Sequence, residues 1–244
     1  MTFFRPLVLV YHAVSDDWND PLSVRVADFE QQMRTLVARG YRGGTWRDLL
    51  SDSGNRKLVH ITFDDAFRSV ANALPVLHDL RLPSTIFACA RYADDGGRLS
   101  IPQLASRSDD GEISTMDWAA LRHIVEDGLV EIGSHGRGHV DLVQLSDAEL
   151  RAELSESKTE IEDHLGRPCA TIAYPFGSQD ARVRRATAAA GYAAAFGAPG
   201  VSGHVDPLRI PRTGIWRDEP PFRQKVRTQF LARLILERRT KAPG

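Results

Sequence analysis

The chain has 244 residues, room for one α/β barrel or two small domains, and a formal charge of −1, which gives no reason to expect nucleic acid as a partner. Its two cysteines, Cys89 and Cys169, lie in or beside apolar runs, which argues against a disulfide framework and for small buried hydrophobes in a reducing compartment. No apolar run approaches the roughly 20 residues of a membrane span, and no basic region precedes the N-terminal apolar segment, so the expected location is cytoplasmic.

Leu7 to Tyr11 reads as the first strand, and His12 stands where it ends. Asp28-Phe29-Glu30-Gln31 opens a helix through Arg39, with Phe29, Met33, Leu36 and Val37 on one face and Gly40 as its stop. Tyr41 to Gly44 is short and extended, and Thr45-Trp46-Arg47-Asp48 caps a brief helix. Leu58 to Phe63 alternates and carries β-branched residues, as a buried strand does, and it ends in Asp64-Asp65. Val70 to Leu80 is helical, and Ser84 to Ala90 is an unbroken apolar strand of the kind buried on both faces of a parallel sheet. Arg91 to Glu112 is a long polar insertion. A helix from Ser114 or Thr115 through Asp127 stops at Gly128 and leads into a strand, Leu129 to Gly133. Ser146-Asp147-Ala148-Glu149 is a capping box for a helix whose Leu150, Leu154, Ile161 and Leu165 keep one face apolar. Ala170 to Ala173 is a strand running into Tyr174-Pro175-Phe176-Gly177. Ser178 to Ala190 is helix, Tyr192 to Phe196 strand, and Leu208 to Thr213 a last short strand.

Strand and helix thus alternate about seven times with no break in composition, which predicts one α/β domain over residues 1–219, a distorted (β/α) barrel of TIM-like type with about seven strands. Residues 220–244 form a basic amphipathic C-terminal helix with Phe222, Val226, Phe230, Leu234 and Ile235 in one stripe, packed on the barrel. The alternative use of that stripe is peripheral contact with an anionic membrane surface. Chemistry in such barrels lies at the C-terminal ends of the strands, which puts His12, Asp64-Asp65, Ser134-His135, Tyr174-Pro175 and the segment near Arg212 on one rim.

Two adjacent carboxylates at the end of a buried strand cost desolvation and mutual repulsion unless a cation or hydrogen-bond donors meet them. A metal ion is the simplest compensation; the alternative is that one acid caps the next helix, near Arg68. His135-Gly136-Arg137-Gly138-His139 places two histidines four apart, but its glycines disfavour a helix, so a loop wrapping both imidazoles around one ion fits better. One carboxylate plus two imidazoles leaves positions open for water and substrate.

Thr62-Phe63-Asp64-Asp65, Gly133-Ser134-His135 with His139, and Tyr174-Pro175-Phe176-Gly177 resemble, in order and spacing, the successive motifs of the polysaccharide deacetylases, the NodB-like carbohydrate esterases, over residues 7–213. The resemblance implies that Asp64 is the general base, that Asp65, His135 and His139 bind a divalent metal, usually Zn2+, and that the backbone N–H of Tyr174 helps hold the tetrahedral oxyanion. It departs from the family in three places. Ala173 stands where many members have an arginine paired with the catalytic Asp, and Arg212 is the candidate source of that guanidinium. No Leu-x-His motif follows Arg212, so His12, or else His204, is the candidate proton donor. Gly136 replaces the usual Ser or Thr, which removes a hydrogen bond to the loop. His60, His78, His123 and His164 fall inside the strand or helices and are structural.

The expected function is a hydrolase of carbohydrate metabolism that removes acetyl from an N-acetylated amino sugar, in a glycan or a lipid-linked glycan precursor. The alternatives are a hydrolase of a non-sugar amide on the same barrel, its choice set by the Arg91 to Glu112 insertion, and a glycan-binding relative without catalysis.

Overall fold

The computed structural model describes residues 6–51, 57–101, 104, 113–197 and 206–217. Among them the strands are β1 Leu7–Tyr11, β2 Ala13–Val14, β3 Ser23–Val24, β4 Arg42–Gly43, β5 Leu58–Phe63, β6 Ser84–Ala88, β7 Val130–Ser134, β8 Thr171–Ala173, β9 Ala194–Phe196 and β10 Thr213–Gly214. The helices are α1 Val26–Ala38, α2 Trp46–Ser51, α3 Leu74–Asp79, α4 Trp118–Ile124, α5 Asp147–Leu165 and α6 Ala181–Ala189. Seven strands form one parallel sheet in the order β10-β1-β5-β6-β7-β8-β9, and β4 joins it beside β5. The sheet curls toward closure because Ile210 bridges Phe196 of β9 just before the chain enters β10, which pairs with β1. This is the distorted barrel expected from the strand count.

Alternate side chains along each strand go to opposite faces. Leu7, Leu9, Tyr11, Val59, Ile61, Phe63, Ile86, Ile132 and Ile172 pack with the helices in the main core. Val8, Phe87, Ala173, Ala194 and Phe196 form a second, inner cluster, closed below by Trp46 and Leu49 of α2. Gly133 is required inside, since a Cβ there would come 2.5 Å from the Phe87 ring. Trp46 Nε1 and Arg47 hold the two oxygens of Glu131 at 2.8 and 2.7 Å, so α2 is hydrogen-bonded into the N-terminal end of the barrel.

Several boundaries move for identifiable reasons. The helix expected from Ser114 starts at Trp118, because Ser114 and Thr115 form antiparallel bridges to Arg98 and Phe67 and Asp117 caps the helix by accepting from Ala120 N–H at 2.8 Å. The helix expected over Val70 to Leu80 divides into a 3-10 segment, Arg68–Ala73, and α3, with Pro75 in the first turn where its missing N–H costs least. The Ser146–Glu149 capping box is present in full, and Gly166 ends α5 at φ +62°. The described part of the insertion is not wholly polar: Leu99, Ile101 and Leu104, with Ile113 just after it, bury themselves with Trp18, Phe67 and Cys89 in a satellite core. Residues 102–103 and 105–112, His204 and the C-terminal helix expected at 220–244 lie outside the described residues. No helix among the described residues is long and apolar enough to cross a membrane.

Candidate active site

Side-chain period explains which residues meet. His12, Asp64 and His135 each sit one position beyond a strand in the inward phase set by Val10, Thr62 and Gly133, so their side chains continue the inner face of the barrel onto its rim. Asp65 has the opposite phase, and the chain corrects it by turning left-handed: φ is +69° at Asp65 and +51° at Ala66. The N-cap of the following 3-10 segment is Phe67, so neither acid is spent on capping.

Asp65, His135 and His139 present donor atoms within 4.8 Å of one another, and all three residues are buried. His135 Nδ1 lies 2.8 Å from the Ala173 carbonyl, which can only accept, so the proton sits on Nδ1 and the Nε2 lone pair faces inward. His135 Nε2 and His139 Nε2 stand 3.6 and 3.3 Å from Asp65 Oδ1, yet this buried oxygen has no hydrogen-bond partner among the described residues. Donors about 2.0–2.1 Å from a tetrahedral ion stand about 3.3 Å apart, so the orphaned oxygen and the two nitrogens fit a divalent metal. Burial pushes the Asp65 carboxyl up, but the imidazoles of His139 and then His135 beside it outweigh that and hold it below its ordinary value. The same contact, against burial, raises His139, whereas burial lowers His135.

Asp64 takes a different partner. Arg212 closes on it with both terminal nitrogens, at 2.6 and 2.8 Å from the two carboxylate oxygens, and it also reaches Thr62 Oγ1 at 3.3 Å. The arginine does not stand on the rim. The register Leu9 with Thr213 puts its backbone below the strand ends, and its guanidinium lies in the barrel interior over the Phe87 ring. Burial alone would raise the Asp64 carboxyl, but the Arg212 charge, then that of His135, takes it far below the usual carboxylate range.

His12 is half-buried, its Nδ1 has no partner among the described residues, and its ring stacks on Trp216 at 5.0 Å. Arg217, next in the chain, donates to the carbonyls of Trp18 and Ser15 at 2.7 and 3.2 Å and ties this end of the barrel to the loop between β2 and β3.

The expected use of Tyr174 is not what the structure shows. Its N–H donates to Phe196 O at 2.9 Å as part of the ladder between β8 and β9, and its hydroxyl donates to Leu208 O at 3.0 Å in the outer layer. The phase of β8 turns this side chain outward, into the main core. The N–H of Phe176, two residues on, has no acceptor among the described residues. Phe176 is held at φ +59°, is 48% exposed, and sets its ring edge against His139 at 4.7 Å. Neither Phe176 nor Trp216 is among the residues expected at the site; the signal for Phe176 is an aromatic residue inside the Tyr-Pro-Phe-Gly turn. Of the five non-glycine residues with positive φ among the described residues, Asp65, Ala66, His139 and Phe176 surround this site.

His60 lies inside the barrel between Gly44 O and Thr85 Oγ1 at 2.8 and 3.0 Å, and His164 stacks on Trp118. His78 and His123 pair at the surface with Asp127 and Glu126.

Residues 51–195 match the family model described as polysaccharide deacetylase. YxkH of Bacillus subtilis (strain 168), whose name assigns it to the polysaccharide deacetylases, is 25% identical over 191 residues, 76% of this chain and 61% of that protein, so the chain spans less than two thirds of this relative's length. A polysaccharide deacetylase from Bacillus cereus is 25% identical and superposes with a TM-score of 0.72 over 93% of this chain and 69% of its own. The Streptococcus pyogenes deacetylase PplD, solved with acetate, shares the fold at a TM-score of 0.74 over 94% of this chain and 99% of its own, with 20% identity. With a family match over more than half of its length, on a barrel that carries the motifs at its strand ends, the chain belongs to the polysaccharide deacetylase family.

Proposed function

We propose that the protein is a metal-dependent hydrolase that removes the acetyl group from an N-acetylated amino sugar in a glycan or a lipid-linked glycan precursor. The observation that carries this reading is the division of the two adjacent acids: Asp65 faces two imidazole nitrogens with an oxygen that has no hydrogen-bond partner among the described residues, while Asp64 beside it is neutralised by Arg212 and lies 3.9 Å from the same His135 nitrogen. A divalent ion held by Asp65, His135 and His139, with Zn2+ the best match to two nitrogens and one carboxylate, supplies Lewis acidity to the attacking water and to the amide carbonyl.

This chain's residues do the rest. Asp64 accepts a proton from water as the water oxygen bonds to the carbonyl carbon. Arg212 keeps Asp64 ionised and fixes its orientation. The Phe176 N–H, which has no acceptor among the described residues whereas that of Tyr174 is taken, serves as donor to the developing oxyanion. His12 donates a proton to the nitrogen as the C–N bond breaks, and acetate and the free amino sugar leave. The exposed Phe176 ring offers an apolar face to the sugar or the acetyl methyl.

The test is acetate release from N-acetylglucosamine oligosaccharides by the Zn2+-loaded protein, with and without chelator. Chelator-sensitive acetate is the expected result. Tight glycan binding with no acetate would replace this reading by that of a binding protein, and hydrolysis confined to non-sugar amides would change the substrate class.

A further inference from the structure

The loop carrying His135 and His139 is held by an unexpected residue. His135 is rigid: its N–H donates to Ala88 O at 2.8 Å and its Nδ1 to Ala173 O. His139 is not attached in that way. It follows two glycines, one of them at φ +77°, and is itself at φ +54°, so the intervening backbone has high conformational freedom to lose. Gly136 adds no side chain to the local support of this loop. Ser134 Oγ supplies part of it by accepting from Gly136 N–H at 3.0 Å.

The larger part comes from α5. One oxygen of Glu153 accepts the N–H groups of both Arg137 and Gly138, at 2.6 and 2.8 Å. A Cβ at position 136 would lie 2.9 Å from the same oxygen, so the carboxylate occupies the space that a side chain there would need. One and two turns further along α5, Glu156 and Glu160 meet the Arg137 guanidinium at 3.5 and 2.6 Å. On the other side, Arg91 N–H donates to Arg137 O at 3.1 Å.

We propose that Glu153 is a positioning residue for the metal site: by binding two backbone N–H groups from a rigid helix, it fixes the distance between His135 and His139 and thereby sets metal affinity. The inference rests on the reading of Asp65, His135 and His139 as metal ligands. Charge-assisted bonds to backbone N–H are among the stronger hydrogen bonds, and partners of this kind typically change metal affinity by about 10–100-fold.

The experiment is a Co2+ titration, followed by visible absorbance, of the wild-type protein and the Glu153→Gln, Glu153→Asp and Glu153→Ala variants, with amide hydrogen exchange at Arg137 and Gly138 in the metal-free proteins. Gln keeps a neutral oxygen in place and should bind Co2+ within about threefold of wild type, while Asp, too short, and Ala should bind about 10–100-fold more weakly and lose protection at both amides. Wild-type affinity and protection in the Asp or Ala variant overturns the role of Glu153 while leaving the metal site intact. Failure of the wild-type protein to bind Co2+ or Zn2+ overturns the metal reading and this inference with it. If Ala does not fold, the Asp and Gln variants decide on the same readouts.

Discussion

Arg212 and Asp64 are 148 residues apart in the chain and form a two-pronged ion pair inside the barrel, with both partners almost wholly buried. The pair closes because β10 returns to lie parallel to β1, so the residue that enters β10 delivers a cation to an acid presented at the end of β5. A fork of this geometry satisfies both carboxylate oxygens at once, which a lysine cannot do.

Breaking the pair from one side leaves a buried charge without compensation. Arg212→Met is therefore expected to destabilise the fold by about 3–5 kcal/mol, and Asp64→Asn combined with it to recover part of that loss. Urea denaturation of the two single variants and the double variant measures this as a cycle; additive effects would show that the two side chains do not depend on each other. The Asp64 carboxyl is depressed, so the pair stabilises above the ordinary carboxylate pKa, and that stability is lost as pH falls toward its folded value.

The two acids are expected to separate metal binding from turnover. Asp64→Asn should keep metal within a few-fold of wild type and lose about 10²–10⁴ in kcat, whereas Asp65→Asn should lose the metal itself. Metal content after dialysis and acetate release, measured on the same samples, check both halves. An active Asp64→Asn variant would remove Asp64 from the role of base.

His12→Gln should lower kcat by about 10²–10⁴ while KM stays within a few-fold of wild type, since the side chain acts on the leaving nitrogen. Steady-state kinetics on an acetylated chitooligosaccharide measure this. A full effect on KM with kcat unchanged would make the histidine a binding group.

His60 makes folding stability depend on pH. Burial, only partly opposed by the Gly44 carbonyl, lowers its pKa to about 4, whereas in the unfolded chain it protonates near 6.5. Between those values the unfolded state binds more protons, so stability rises with pH and is lost as pH falls, by about 3 kcal/mol over the window. The difference between wild type and His60→Gln in urea midpoints at pH 7 and pH 4 isolates this contribution from that of the carboxylates.

At Phe176 the backbone favours glycine. A left-handed φ costs an L residue about 1–2 kcal/mol, so Phe176→Gly should be more stable than Phe176→Ala by about 1 kcal/mol. Thermal unfolding of the two variants compares them directly, and equal stability would mean that the turn relaxes when the ring is removed.

Much of the barrel was legible in the chain because its signals are local. Strand phase at Leu7–Tyr11 and Leu58–Phe63, the apolar run at Ser84–Ala88 and the capping box at Ser146–Glu149 each depend on neighbours within a few residues. Element ends were less legible wherever a distant partner intervened, as at Thr115, whose pairing with Phe67 delays α4.

The sequence by itself determined the alternation that makes a barrel and put the acid pair Asp64-Asp65 and the two histidines His135 and His139 at or just after strand ends, because strand phase and spacing are properties of the local chain; the left-handed turn at Asp65 decided which acid faces the imidazoles. Only the tertiary structure decided how the other groups are used. Arg212 meets Asp64 through closure of the sheet, the N–H of Tyr174 is taken by β9, and Glu153 reaches the histidine loop from α5. Each of these is a hydrogen bond between segments distant in the chain, whose distance is set by how strands register and helices pack and by no pattern that either segment carries alone.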